Sequence, residues 1–128
     1  DAAACGKPLK VHGDGQQTRS FTWVGDITEA FLLAGLTDVA IDDGSKLAGA
    51  VWNVGWPEET SIAELAELVA ETSGVEVLIE PSKGYFGDSQ RRCPDISLAT
   101  RQLGWQPWTT LEAGLRSTWF VINNRING

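Results

Sequence analysis

The run Lys7-Pro8-Leu9-Lys10-Val11-His12-Gly13-Asp14-Gly15-Gln16-Gln17-Thr18-Arg19-Ser20-Phe21-Thr22-Trp23-Val24-Gly25-Asp26 decides the fold class. Pro8 to Asp14 reads as a short extended segment. Gly13-Asp14-Gly15 is a turn signal, because glycine takes positive φ at no steric cost. Thr18 to Val24 is rich in β-branched and aromatic residues and reads as a second strand. Two extended runs around a short glycine turn predict a hairpin. Asp26 then opens a helix. Its carboxylate can accept from first-turn amides, and Glu29 stands at the capping-box position. Ile27, Ala30, Phe31 and Ala34 recur at helical spacing and predict one apolar face.

Downstream, Thr37 to Gly49 is polar and reads as a loop, and Ala50 to Val54 as a short buried strand. Pro57 and Ser61 lead into the clearest helix. Ser61 and Glu64 form a capping box, Ile62, Leu65, Ala66 and Val69 give a core face, and Gly74 is a stop. Val75 to Ile79 reads as a strand and Pro81 to Pro94 as a loop. Ile96 to Leu103 is a short helix ended by Gly104. Thr109 and Glu112 box a last helix with Leu111, Leu115, Trp119 and Ile122 on one side. Strands and helices alternate irregularly, which predicts a mixed α/β (α+β) fold.

A length of 128 residues predicts one domain, and 42% apolar with 21% charged residues is ordinary globular composition. Six tryptophans supply much of the apolar bulk. The chain has no Met and begins at Asp1, so it is expected to be processed, excised or truncated. The net charge of -7 argues against nucleic acid and anionic membranes, which require a positive field. It leaves room for one small anionic ligand held by a local basic pair. Cys5 and Cys93 form no CxxC, which argues against a disulfide framework or a structural zinc. His12 is the only histidine, no nucleophile elbow is present, and no apolar run reaches transmembrane length.

Phosphate groups are held by arginine forks or amide-rich turns. Arg19 and the Arg91-Arg92 pair are the candidates. Taken singly, each reads first as a solvated charge on a strand or loop, with Asp95 capping the next helix. Trp105 and Trp108 could stack on a base, but their place after a helix stop favours core or lid roles. Glu58-Glu59 and Asp42-Asp43 read as solvated caps and loop charges rather than metal ligands. His12 reads as a packing residue, and Cys93 as a spectator lacking a base to activate it.

The order of these pieces resembles the NAD-dependent nucleotide-sugar epimerases and dehydratases, the extended short-chain dehydrogenases. The opening run matches them, as do Val51-Trp52-Asn53-Val54-Gly55, Ser61-Ile62-Ala63-Glu64-Leu65-Ala66 and Arg92-Cys93-Pro94-Asp95-Ile96-Ser97. So do Leu103-Gly104-Trp105-Gln106-Pro107 and Leu111-Glu112-Ala113-Gly114-Leu115. The resemblance implies the C-terminal part of a Rossmann-type enzyme, with residues 1–128 forming a nucleotide-sugar-binding domain. It implies that Lys10, Val11 and His12 hold the base edge through backbone groups. By the same resemblance Arg19 and Arg92 reach the pyrophosphate, and Asp95 lies near the ribose or the following helix.

The family's Gly-rich cofactor turn and its catalytic Tyr-x-x-x-Lys are not found; the only tyrosine is Tyr85, followed four residues on by Ser89. The resemblance therefore implies NAD or NADP in full-length members, and no cofactor and no catalytic residue in this chain. The expected ligand is a UDP-, dTDP-, GDP- or CDP-linked sugar in a cytoplasmic protein. The reaction stays open among epimerisation, dehydration and decarboxylation, and a non-catalytic binding or interaction module is the alternative. The helix from Asp26 and the segment Ala50 to Val54 are expected at the junction with the cofactor-binding portion. Exposed there, they would invite a homo-oligomer or another partner.

Overall fold

The computed structural model describes residues 1–36, 49–74, 79–83, 87 and 89–127. After a short helical turn at Ala3–Cys5 come β1 (Leu9–His12), β2 (Thr18–Arg19) and α1 (Val24–Leu36). Then follow β3 (Thr60–Ser61), α2 (Ile62–Ser73), β4 (Ile79–Ser82), β5 (Arg91–Arg92), α3 (Ser97–Leu103) and α4 (Leu111–Asn127). The class is mixed α/β, as the sequence predicts. The expectations on Thr37 to Ala48, Val75 to Leu78 and Tyr85 lie outside the described residues.

The predicted hairpin does not form. β1 pairs in parallel with β4, from Leu9 beside Ile79 to His12 beside Ser82. β2 sits in a separate sheet between β3, antiparallel, and β5, parallel. The glycine turn is real, with φ of 69° at Gly13 and 73° at Gly15, but it hands the chain from one sheet to the other. A Cβ on Gly15 would meet Val11 Cγ1 at 2.9 Å and the Ala63 backbone nitrogen at 3.1 Å. The turn is thus clamped between β1 and the start of α2, where Ala63 N donates to Gly15 O at 3.0 Å and Ile62 N to Gln17 O at 3.1 Å.

Other boundaries also move. Only Thr18 and Arg19 of the Thr18–Val24 run pair as strand, and the helix begins at Val24. Ala50 to Val54 is irregular rather than a strand, and the Pro81–Pro94 stretch contains the end of β4 and all of β5. α2 follows the prediction closely. Ser61 Oγ accepts from Glu64 N at 3.1 Å, and Gly74 closes the helix at φ 62°. Gly104, at φ 66°, ends α3. The cap of α4 is displaced by one residue: Thr110 Oγ1, not Thr109, accepts from the amide of Ala113 at 3.3 Å.

One buried cluster joins Ala30 of α1 to Ala99 and Leu103 of α3 and to Trp105, with Leu33, Ala34, Trp52, Val54 and Ile96 packed around it. A second apolar seam runs between α2 and α4, where Leu65 and Val69 face Leu111 and Leu115 beside Phe21 and Trp23. Gly114 of α4 provides the seat for the Trp23 ring, 3.4 Å from a hypothetical Cβ. Phe31, expected on the inward face of α1, is 73% exposed.

Asp26 is fully buried and is not a cap for its own helix. Its carboxylate accepts from Trp108 N at 3.2 Å, Thr109 N at 3.0 Å and Thr109 Oγ1 at 2.8 Å. The Trp105 indole donates to Asp26 O at 2.9 Å. Burying a carboxylate is tolerable only with such a set of donors. The result is a latch between α1 and the turn that leads into α4. Trp105 is the core residue expected, whereas Trp108 is 71% exposed, its indole donating to Glu29 at 3.2 Å.

Candidate functional site

The three-stranded sheet sorts the basic residues by face. β2 and β5 are parallel, with Thr18 beside Arg91 and Arg19 beside Arg92. Successive side chains on a strand alternate faces, and register partners share one. Thr18 and Arg91 point to the same carboxylate: Thr18 Oγ1 donates to Glu59 Oε1 at 2.6 Å, and Arg91 Nε to Glu59 Oε2 at 2.5 Å. Arg19 and Arg92, one residue further along each strand, therefore share the opposite face. Thr60 of β3 stands beside Arg19 in the same row.

This arrangement sets Arg91 apart from the other two arginines by face. Arg91 is matched by Glu59. The Thr18 hydroxyl first, and Arg91 second, hold the Glu59 carboxyl below its ordinary range, while Glu59 raises the Arg91 guanidinium. The prediction that Glu59 is merely a solvated charge is corrected. It is half-buried and bridges two strands. No short-range sequence signal could show this, since its partners are 41 and 32 residues away.

Beside Arg92 lies an open cleft lined by Ser20, Thr22, Val54, Gly55, Cys93 and Pro94. Two side-chain bonds fix its wall: Ser20 Oγ donates to Trp56 O, and Trp56 N donates to Thr22 Oγ1 at 2.8 Å. Gly55 is buried, and a Cβ there would stand 2.6 Å from Pro94 Cγ, so only glycine lets the chain after β5 pack this closely. The Arg19 guanidinium donates through Nη1 to Thr18 O at 2.7 Å. Cys93 is exposed and its thiol donates to Pro57 O at 3.3 Å.

The remaining predicted residues lie elsewhere. On β1, Val11 is buried between the exposed Lys10 and His12. β1 and the arginine pair belong to different sheets, linked locally by Gln17, whose Nε2 donates to His12 O at 2.9 Å. The packing role expected for His12 is not seen. Its ring is exposed, with Nδ1 2.8 Å from Ser82 Oγ. Asp95 Oδ1 accepts from Ser97 N at 2.9 Å, the turn that leads into α3. That amide first, and the Ser97 hydroxyl second, lower its carboxyl below the ordinary range.

The sequence profile of the GDP-mannose 4,6 dehydratase family matches residues 2–118. The chain belongs to the NAD-dependent nucleotide-sugar epimerase and dehydratase family. It is 37% identical over 119 residues to UDP-glucuronic acid decarboxylase 1 of Arabidopsis thaliana, covering 93% of this chain and 25% of that protein. In fold it is similar to UDP-glucose 4-epimerase of Thermotoga maritima, solved with UDP-glucose. That likeness has a TM-score of 0.85 and 25% identity over 98% of this chain and 38% of the other. It is also similar to a UDP-glucuronic acid 4-epimerase variant of Bacillus cereus, solved with UDP-4-deoxy-4-fluoro-glucuronic acid and NAD. There the TM-score is 0.84 and the identity 28%, over 97% and 38% of the two chains. The chain thus spans about a quarter of the length of that decarboxylase and under two-fifths of each of these epimerases.

Full-length members of this family hold a nicotinamide dinucleotide, as the Bacillus cereus structure does. The Gly13–Gly15 turn does not fit its pyrophosphate. It opens no helix, and Val11 and Ala63 fill the space where a phosphate would have to approach Gly15.

Proposed function

We propose that this chain is the nucleotide-sugar-binding part of an NAD-dependent epimerase, dehydratase or decarboxylase, a single domain over residues 1–128 that is not catalytic by itself. Arg19 and Arg92 grip the diphosphate. Lys10 to His12 offer their strand to the base, and Asp95 orders the turn into α3 beside Arg92. The observation that supports this is the register of β2 and β5, which makes Arg19 the neighbour of Arg92 while Glu59 pairs with Arg91. Adjacent strands stand roughly 4.8 Å apart, a spacing suited to two arginines sharing the oxygens of one diphosphate.

The names of the relatives favour a UDP-sugar over dTDP-, GDP- or CDP-linked ones. A cytoplasmic location is part of the same reading. Calorimetric titration of the chain with UDP, dTDP, GDP and CDP tests it. UDP is expected to bind, and Arg19→Ala or Arg92→Ala each to weaken it by about 1.5–3 kcal/mol, the worth of a hydrogen bond to a charged group. Absence of heat and of thermal shift with all four would sink the proposal and favour a pure interaction module. With NAD and UDP-glucuronic acid added, the chain alone is expected to show no turnover.

A further inference from the structure

We propose that Glu59 is a positioning residue for the diphosphate grip: its carboxylate, on the far face of the sheet, ties β2 to β5 and so fixes the spacing of Arg19 and Arg92. The inference rests on the reading of Arg19 and Arg92 as the diphosphate-binding pair.

β2 and β5 are each only two residues long. The backbone bonds at their ends, Thr18 N to Gln90 O at 2.9 Å and Ser20 N to Arg92 O at 3.1 Å, are few. A ladder this short has little cooperativity of its own, and short strands depend on neighbours for order. Glu59 lies one residue before β3 and accepts from both strands at once, from Thr18 on β2 and Arg91 on β5. Those two are register partners and the immediate predecessors of Arg19 and Arg92. A clamp on the first pair therefore sets the separation of the second pair, on the other face. The acceptor is a carboxylate and the donors are a hydroxyl and a guanidinium, the stronger class of hydrogen bond. The same contact pairs Arg91 with Glu59.

The test is UDP titration of the 128-residue chain in a set of variants, beside amide NMR of Lys10 to His12 with uridine as a probe lacking phosphate. Arg92→Ala serves as the control. If wild type and Arg92→Ala bind UDP alike, the diphosphate reading itself fails, whatever Glu59 does. If Arg92→Ala loses UDP, Glu59→Ala and Arg91→Ala are each expected to weaken UDP about tenfold, since one positioned contact shared by two groups is lost. The double variant should be no worse than either single one. Uridine-induced shifts at Lys10 to His12 should be unchanged, which general loosening of the fold would not allow. Arg91→Lys, which keeps a cationic donor, should recover most of the affinity. Should Glu59→Ala not fold, Glu59→Gln, which keeps one acceptor oxygen, replaces it with the same direction expected. UDP affinity within twofold of wild type in the folded Glu59 and Arg91 variants overturns the proposal, as does an equal loss of uridine response.

Discussion

At the scale of single residues, Asp26 shows how a correct residue can be assigned the wrong work. Its position before an apolar helical repeat marks it as a cap, yet the helix begins two residues earlier and the carboxylate serves Trp108 and Thr109 instead. Those donors are 82 and 83 residues away, and no local pattern encodes them. The displaced cap of α4 follows from the same fact: Thr109 is engaged by Asp26, so Thr110 takes the helix terminus. Asp26→Ala would remove the acceptor shared by two part-buried amides and a hydroxyl. A hydrogen bond to a charged group is worth about 1.5–3 kcal/mol, so urea denaturation should show a loss of about that size or more, with Asp26→Asn intermediate. Gly15→Ala is the second expectation at this scale. Both its positive φ and its contact with the Ala63 backbone oppose a methyl group, and a loss of about 2 kcal/mol is expected by the same measurement.

At the scale of elements, what the sequence made legible is what is local. α2 was readable from cap to stop because Ser61, Glu64 and Gly74 act within their own turns. The Gly13–Gly15 turn was readable as a turn, but its partners were not. Strand pairing is settled by which segments arrive from far along the chain, and β4 reaches β1 across about seventy residues of sequence, as β5 reaches β2. Arg19 and Arg92 were therefore visible as motif residues, while their adjacency and the Glu59 bridge were not. Caps give measurable expectations here. Ser61→Ala should cost α2 about 1 kcal/mol in thermal or urea unfolding. Asp95 caps the turn into α3 with a carboxyl held below its ordinary range by Ser97. As pH falls, the unfolded chain takes up this proton first, so stability rises with pH across that window. The contribution is complete above the ordinary carboxylate range and is lost as pH drops through the lowered folded value. The Ser97 amide signal in an NMR titration should report it, and Asp95→Asn should remove the transition.

At the scale of the whole molecule, α1 exposes large apolar side chains, as α4 does at Phe120 and Val121. Ala30, Leu33 and Ala34 pack on the core, yet Phe31, Leu32 and Leu36 on its other side are exposed, and Val51 nearby in sequence to Trp52 is 81% exposed. A helix apolar on more than one side is usually one that is covered. These exposed side chains lie on the same element that carries Asp26 and hence the path to α4. Water contact at these side chains is unfavourable by about 25 cal/mol per Å², which gives the isolated chain a reason to self-associate. Size-exclusion chromatography with light scattering should show a mass that rises with concentration. Leu32→Glu combined with Leu36→Glu should return it to the monomer. Because neither residue lines the cleft beside Arg92, UDP affinity per chain should stay within about twofold. A wild-type chain that stays monomeric at high concentration would show that this face tolerates water on its own, and the case for a covering partner would fall with it.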